Sequence, residues 1–155
     1  MTNPGTTESE DCRYCARHAD QAELPPGGYV YEDERWLVGH ASIEWATEPG
    51  TVIIEARRHV LDFTDFTDIE AASFGELLRR LYPAIKDATG AERVYLVSTM
   101  AVMPHFHAWL VPWMAGSEAR GIDFLAREGS ISGEQALAAS AAIRDGMTGS
   151  LAAVV

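Results

Sequence analysis

At 155 residues the chain is long enough for one domain with a sizeable core and short for two. Its 47% apolar and 23% charged composition is that of a globular protein, with no repeat or low-complexity tract. A formal net charge of -11, from 23 acidic against 12 basic residues, repels nucleic acid and anionic membranes, so an anionic ligand needs a locally built site.

In chain order, residues 1–11 ("MTNPGTTESED") are expected to form a disordered lead. They lack the basic-then-apolar order of a signal peptide, and no run is long enough to span a bilayer, which predicts a cytosolic protein. "CRYCARHAD" reads as a knuckle or short helical turn. After the Pro25-Pro26-Gly27-Gly28 break, "YVYED" and "RWLVGHA" predict two strands of a hairpin around a polar turn near Glu32 to Glu34. "TVIIEARRHV", behind Pro49-Gly50, predicts a third strand ending near Arg57 to His59.

Thr67 and Glu70 form a capping box ahead of Ile69, Phe74, Leu77, Leu78, Leu81 and Ile85 at helical spacing. The main helix is expected to kink or break at Pro83 and stop at Gly90. "ERVYLVSTM" and "PHFHAWLVPW" predict two further strands. Ser132 and Gln135 cap a short, weakly amphipathic helix over "ALAASAAIRDGM". The sum is an α+β fold, an antiparallel sheet of about five strands with helices against one side. Residues 12–116 make the domain and 117–155 a helical extension of it.

Strand alternation puts His105, His107, Trp109 and Val111 on one face and Phe106, Ala108 and Leu110 on the other. Histidine is rarely set in an apolar strand for packing alone, because its ring nitrogens need partners. Cys12 and Cys15 are too unlike a secreted framework to be a structural disulfide in a reducing compartment. Their two-residue gap lets both thiolates reach one metal. A tetrahedral site then wants two of the remaining histidines, and spacing leaves His18, His59, His105 and His40 open. A Cys-x-x-Cys redox pair would need a thioredoxin-like βαβ context, which is missing. His107 remains for nucleophilic or acid–base work, since no Gly-x-Ser-x-Gly elbow or P-loop is present. Ser98, Thr99, His40 and Ser42 are further polar candidates, and Trp36, Trp45 and Trp109 wall a pocket or belong to the core.

Taken in order, "CRYC", "VYEDERWLVGH", "PGTVIIEARRHV", the capped helix and "MPHFHAWLVP", spanning residues 12–113, resemble the histidine triad (HIT) superfamily. In that family the middle histidine of a His-x-His-x-His strand attacks the α-phosphate of a nucleotide, giving a covalent nucleotidyl-histidine. By resemblance the nucleophile is His107. In zinc-bearing members two cysteines, a histidine after the third strand and the first triad histidine hold the metal, which implies Cys12, Cys15, His59 and His105. With four protein ligands such a zinc is closed and structural. A homodimer and a small-molecule, nucleotide-class substrate are likewise implied.

The pattern departs in three places. Trp109 replaces the third histidine and offers one donor and no acceptor. Met100, Ala101 and Val102 replace polar residues where hydrolase members resemble Gly-Gln-Ser-x-x-His. "GHASIEW" has no aspartate for the ribose, leaving Ser42 or Glu44. Three readings follow: a HIT-type hydrolase or transferase at a nucleoside phosphate or phosphoramidate; a divergent enzyme using His107 as general acid or base on a non-nucleotide substrate; and a zinc-stabilised binding module without catalysis.

Overall fold

The computed structural model describes residues 12–20 and 23–152, so the expected lead over 1–11 lies outside the described residues. A short helix, α1 (Arg13–Asp20), precedes strands β1 (Tyr29–Glu32), β2 (Trp36–His40) and β3 (Val52–Ala56). Helix α2 (Asp68–Thr89), strands β4 (Arg93–Val97) and β5 (His107–Trp113), and helices α3 (Gly121–Leu125) and α4 (Gly133–Ala152) complete the order. The five strands form one sheet, β1-β2-β3-β5-β4, with every neighbouring pair antiparallel.

Alternation along the strands divides the molecule. Trp36, Val38, Val52, Ile54, Ala108 and Leu110 point to one face and pack on Phe74, Leu77, Leu81 and Ile85 of α2 and Ile143 and Met147 of α4. The other face carries Glu55, His107, Trp109, Val111 and Trp113. It is covered as well, contrary to the expectation of helices on one side only. Phe124 of α3 packs on Val111 and Trp113, and Tyr14 of α1 stacks on His107. The sequence signals little of this because α3 is five residues long and α1 has no buried apolar stripe.

Helix α2 runs unbroken through Pro83. Proline removes one intrahelical N–H and crowds the preceding turn. Here buried Leu77 and Leu81 before it and Ala84 and Ile85 after it pack on the same core, so tertiary burial holds both halves in line. Helix α4 is longer than expected, at 20 residues, behind the predicted Ser132–Gln135 box. Strand β4 stops at Val97 and β5 begins at His107, so His105 precedes the strand rather than lying in it.

Gly50 closes the turn into β3 at φ +88, where a Cβ would meet the Thr89 side chain at 2.3 Å. Only glycine fits there without displacing the end of α2.

The N-terminus of α2 carries the predicted capping box. The Glu70 N–H donates to Thr67 Oγ1 and the Thr67 N–H to Glu70 Oε2, while Arg58 donates from Nε and Nη2 to the same carboxylate. This guanidinium, with the Thr67 donors, holds the Glu70 carboxyl down from 4.5 to about 2. A carboxylate depressed on folding contributes stability above its unfolded pKa and loses it as pH falls toward the folded one. Urea unfolding of E70Q should therefore show a lower midpoint than the parent at neutral pH, with the gap closing between pH 4.5 and about 2. T67A should cost about 1 kcal/mol.

Candidate functional site

Four side chains from three distant segments converge on the β3–β5 end of the sheet. Cys12 and Cys15 come from the start of α1, His59 from the loop after β3, and His105 from the residues entering β5. Their ligand atoms all lie within 4.8 Å of one another. Cys12 Sγ is 3.4 Å from His105 Nδ1, and Cys15 Sγ is 3.5 Å from both His59 Nδ1 and His105 Nδ1. Zinc–sulfur bonds of about 2.3 Å and zinc–nitrogen bonds of about 2.0–2.1 Å put tetrahedral ligand atoms roughly 3.3–3.8 Å apart, so these separations match the edges of such a tetrahedron.

The protonation chemistry fits a metal too. His105 is fully buried, and its Nε2–H donates to the Ala56 carbonyl at 2.6 Å, which leaves the Nδ1 lone pair aimed at the thiols. Burial lowers the His105 pKa to about 4, and burial with the nearby Cys12 raises that of Cys15 to about 11. Without a cation His105 is therefore a neutral imidazole and Cys15 a thiol, and a divalent ion would take the place of the Cys15 proton. His18 and His40, left open by spacing, are not in the cluster.

His107 stands beside it on β5, the residue 9% exposed. Its Nδ1 lies 2.8 Å from the His105 carbonyl, which can only accept, so Nδ1 carries a proton and the lone pair of the neutral ring is on Nε2. One backbone carbonyl thus fixes the tautomer that a nucleophile or general base requires.

Tyr14, Arg17 and His18 of α1 close over these histidines. The Tyr14 ring centroid is 5.3 Å from His105 and 5.2 Å from His107, and the Arg17 guanidinium sits 4.9 Å from the same ring. Burial, with Glu55 adding to it, raises the Tyr14 phenol to about 12. Glu55 is buried, pairs across the strands with His107, and is bound by Arg17 Nη2 and, at 2.8 Å, by His18 Nε2. Sequence reasoning passed over Tyr14, Arg17 and Glu55. The readable signal was a single acid in the β-branched run "TVIIEA".

Trp109 is half-buried between Ile53 on β3 and Val97 on β4, one apolar rung across three strands. The other pocket candidates divide by geometry. Ser98 Oγ donates to the His107 carbonyl at 2.8 Å and thereby tightens the β4–β5 pair. Thr99 and Ser42 are exposed. His40 is buried with both nitrogens on backbone, Nδ1–H to the Ala41 carbonyl at 2.7 Å and Nε2 from the Gly50 N–H at 2.9 Å. It knits the β2–β3 connection. Trp36 is core, its indole N–H on Ser73 Oγ, whereas Trp45 is 66% exposed and walls nothing. Met100 adopts φ +49, a costly conformation for a side chain with a Cβ, while its side chain packs on the main core. Among the described residues no helix is long and apolar enough to cross a membrane.

No family model matches the sequence, and no curated protein matches it. Solved structures do. A zinc-bound histidine triad family protein from Mycobacterium smegmatis is 18% identical, covers 94% of this chain and 99% of its own, and superposes with a TM-score of 0.72. A hypothetical histidine triad nucleotide-binding protein from Sulfolobus tokodaii strain7 gives 17% identity, 89% and 93% coverage and a TM-score of 0.70. A HIT family protein from Bacillus anthracis gives 19%, 94% and 98%, and 0.60. At these identities the likeness is one of fold: the chain has the histidine triad fold, with the triad itself reduced to His105-Phe106-His107-Ala108-Trp109.

Proposed function

We propose that the protein is a HIT-type hydrolase or transferase of nucleoside phosphates or phosphoramidates, with His107 as the attacking group. The observation that carries this reading is the His107–His105 carbonyl bond, which puts the neutral ring's proton on Nδ1 and its lone pair on Nε2, beside a cluster of candidate metal ligands in a histidine triad fold. Nε2 attacks phosphorus, an N–P bond forms, and the P–X bond breaks with its electron pair leaving on X, which takes a proton from solvent. Water or another acceptor then attacks the same phosphorus and gives its proton to solvent, the N–P bond breaks with its electron pair returning to Nε2, and neutral imidazole returns. Two displacements, each with a competent nucleophile, replace one difficult one.

Cys12, Cys15, His59 and His105 would hold a structural zinc, which supplies no open coordination position and no catalytic water when all four ligands are protein atoms. Its contribution is to tie α1 to the sheet. An open sheet edge at β4, where Leu96 is 44% exposed, fits the homodimer implied by the family resemblance. The charge of -11 fits a small-molecule substrate in preference to nucleic acid.

The apolar rung Ile53–Trp109–Val97 favours one other reading, a divergent enzyme of a non-nucleotide substrate with His107 as general acid or base. Two measurements bear on the choice. Turnover of a panel of adenosine and guanosine phosphoramidates and dinucleoside polyphosphates should fall in H107A by on the order of 10³-fold or more with zinc content unchanged. Full activity in H107A would remove the nucleophile, and no turnover by a folded, zinc-loaded parent would favour the second reading. The purified chain should hold one zinc per protomer and lose it in C15S. Free zinc at about 1,000 times its Kd should stabilise the fold by roughly 4 kcal/mol, a gain that a chelator abolishes.

A further inference from the structure

Attack at phosphorus leaves negative charge on the phosphoryl oxygens, and that charge needs donors already in position. The β4 side of His107 provides few. Ser98 Oγ is engaged with the His107 carbonyl, Met100, Ala101, Val102 and Met103 carry no side-chain donor, and Trp109 offers a single indole N–H.

The α1 side is different. Glu55 is the cross-strand partner of His107, so the two side chains leave neighbouring strands on the same face, with Cβ atoms about 5 Å apart. The Glu55 carboxylate draws Arg17 onto that face, and the guanidinium also lies against the Tyr14 ring that stacks on His107. A guanidinium has five N–H donors. Among the described residues Arg17 uses one, from Nη2 to Glu55 Oε1, and its Nε is buried with no partner at all. A buried donor left without an acceptor costs free energy that a ligand oxygen can recover. The second carboxylate oxygen goes to His18, so Glu55 grips α1 at two points and holds Arg17 in one place.

We propose that Arg17, positioned by Glu55, binds the anionic phosphoryl group presented to His107, supplying from α1 the side-chain donors that residues 100–103 lack. This rests on the reading of His107 as the attacking group. The guanidinium's planar fork suits two oxygens of one phosphoryl group, which a lysine's point charge does not match.

The test uses the zinc-loaded full chain with inorganic phosphate as the probe, titrated by calorimetry, alongside turnover of an adenosine phosphoramidate. R17M leaves buried Glu55 with His18 as its remaining partner, so the double variant R17M/E55Q removes cation and anion together. The parent should bind phosphate, and R17M/E55Q should bind it about 10- to 100-fold more weakly at unchanged zinc content, with R17K between them. The loss in turnover should appear in R17K as a raised KM. Unaltered phosphate affinity in a folded, zinc-loaded R17M/E55Q would overturn the assignment, as would a parent with no phosphate affinity. Arg17-dependent phosphate binding without any turnover would instead sink the hydrolase reading and leave Arg17 as an anion site. Turnover abolished by H107A and untouched in R17M/E55Q would do the reverse.

Discussion

The arrangement depends on one convergence: two thiols and two imidazoles, from segments more than 90 residues apart in sequence at their extremes, meet in a space matching one tetrahedral ion. Helix α1 has no buried residue and a strongly polar composition, so hydrophobic packing gives it little hold on the sheet. What fixes it are the cysteines that precede and begin it and the Arg17 and His18 contacts to Glu55. Because Tyr14 lies between the two cysteines, the same convergence sets an aromatic ring over His105 and His107. The candidate ligand cluster and the shape of the candidate site are therefore one feature of the chain.

The two neighbouring histidines have opposite tasks, decided by backbone carbonyls. His105 donates from Nε2 to Ala56 and directs Nδ1 at the cysteines, while His107 donates from Nδ1 to His105 and directs Nε2 away from them. A single residue of separation, with a fully buried Phe106 between them as anchor, gives one imidazole to the ligand cluster and leaves the other free. The Ala56 carbonyl sits next to Glu55, so β3 orients His105 with one residue and grips α1 with its neighbour. Two imidazoles can stand this close on a sheet face because each has one ring nitrogen on a fixed backbone carbonyl.

Much of this is legible in the residues. Alternation in "FHAWLV" separates core from site, the Thr67–Glu70 and Ser132–Gln135 boxes mark two helix starts, and the order of five short stretches resembles a histidine triad protein from Cys12 to Trp113. Other features depend on tertiary contacts that local patterns do not encode. Pro83 reads as a break, and only the burial of Leu81 and Ile85 on a common core keeps α2 whole. His40 reads as a pocket residue because it lies between tryptophans, whereas the Gly50 turn brings a backbone N–H to it from ten residues away. Arg17 and Glu55 are unremarkable charges until strand register sets the glutamate opposite His107. Spacing alone cannot choose among the histidines, since the choice is made by the loop after β3 meeting the entry to β5.

The most direct test of the central claim is zinc K-edge X-ray absorption on the purified, metal-loaded protein. Closure by Cys12, Cys15, His59 and His105 predicts two sulfur neighbours at about 2.3 Å and two nitrogen neighbours at about 2.0–2.1 Å, with no oxygen shell. A light-atom shell large enough to require bound water, or a chain that takes up no zinc, would contradict it.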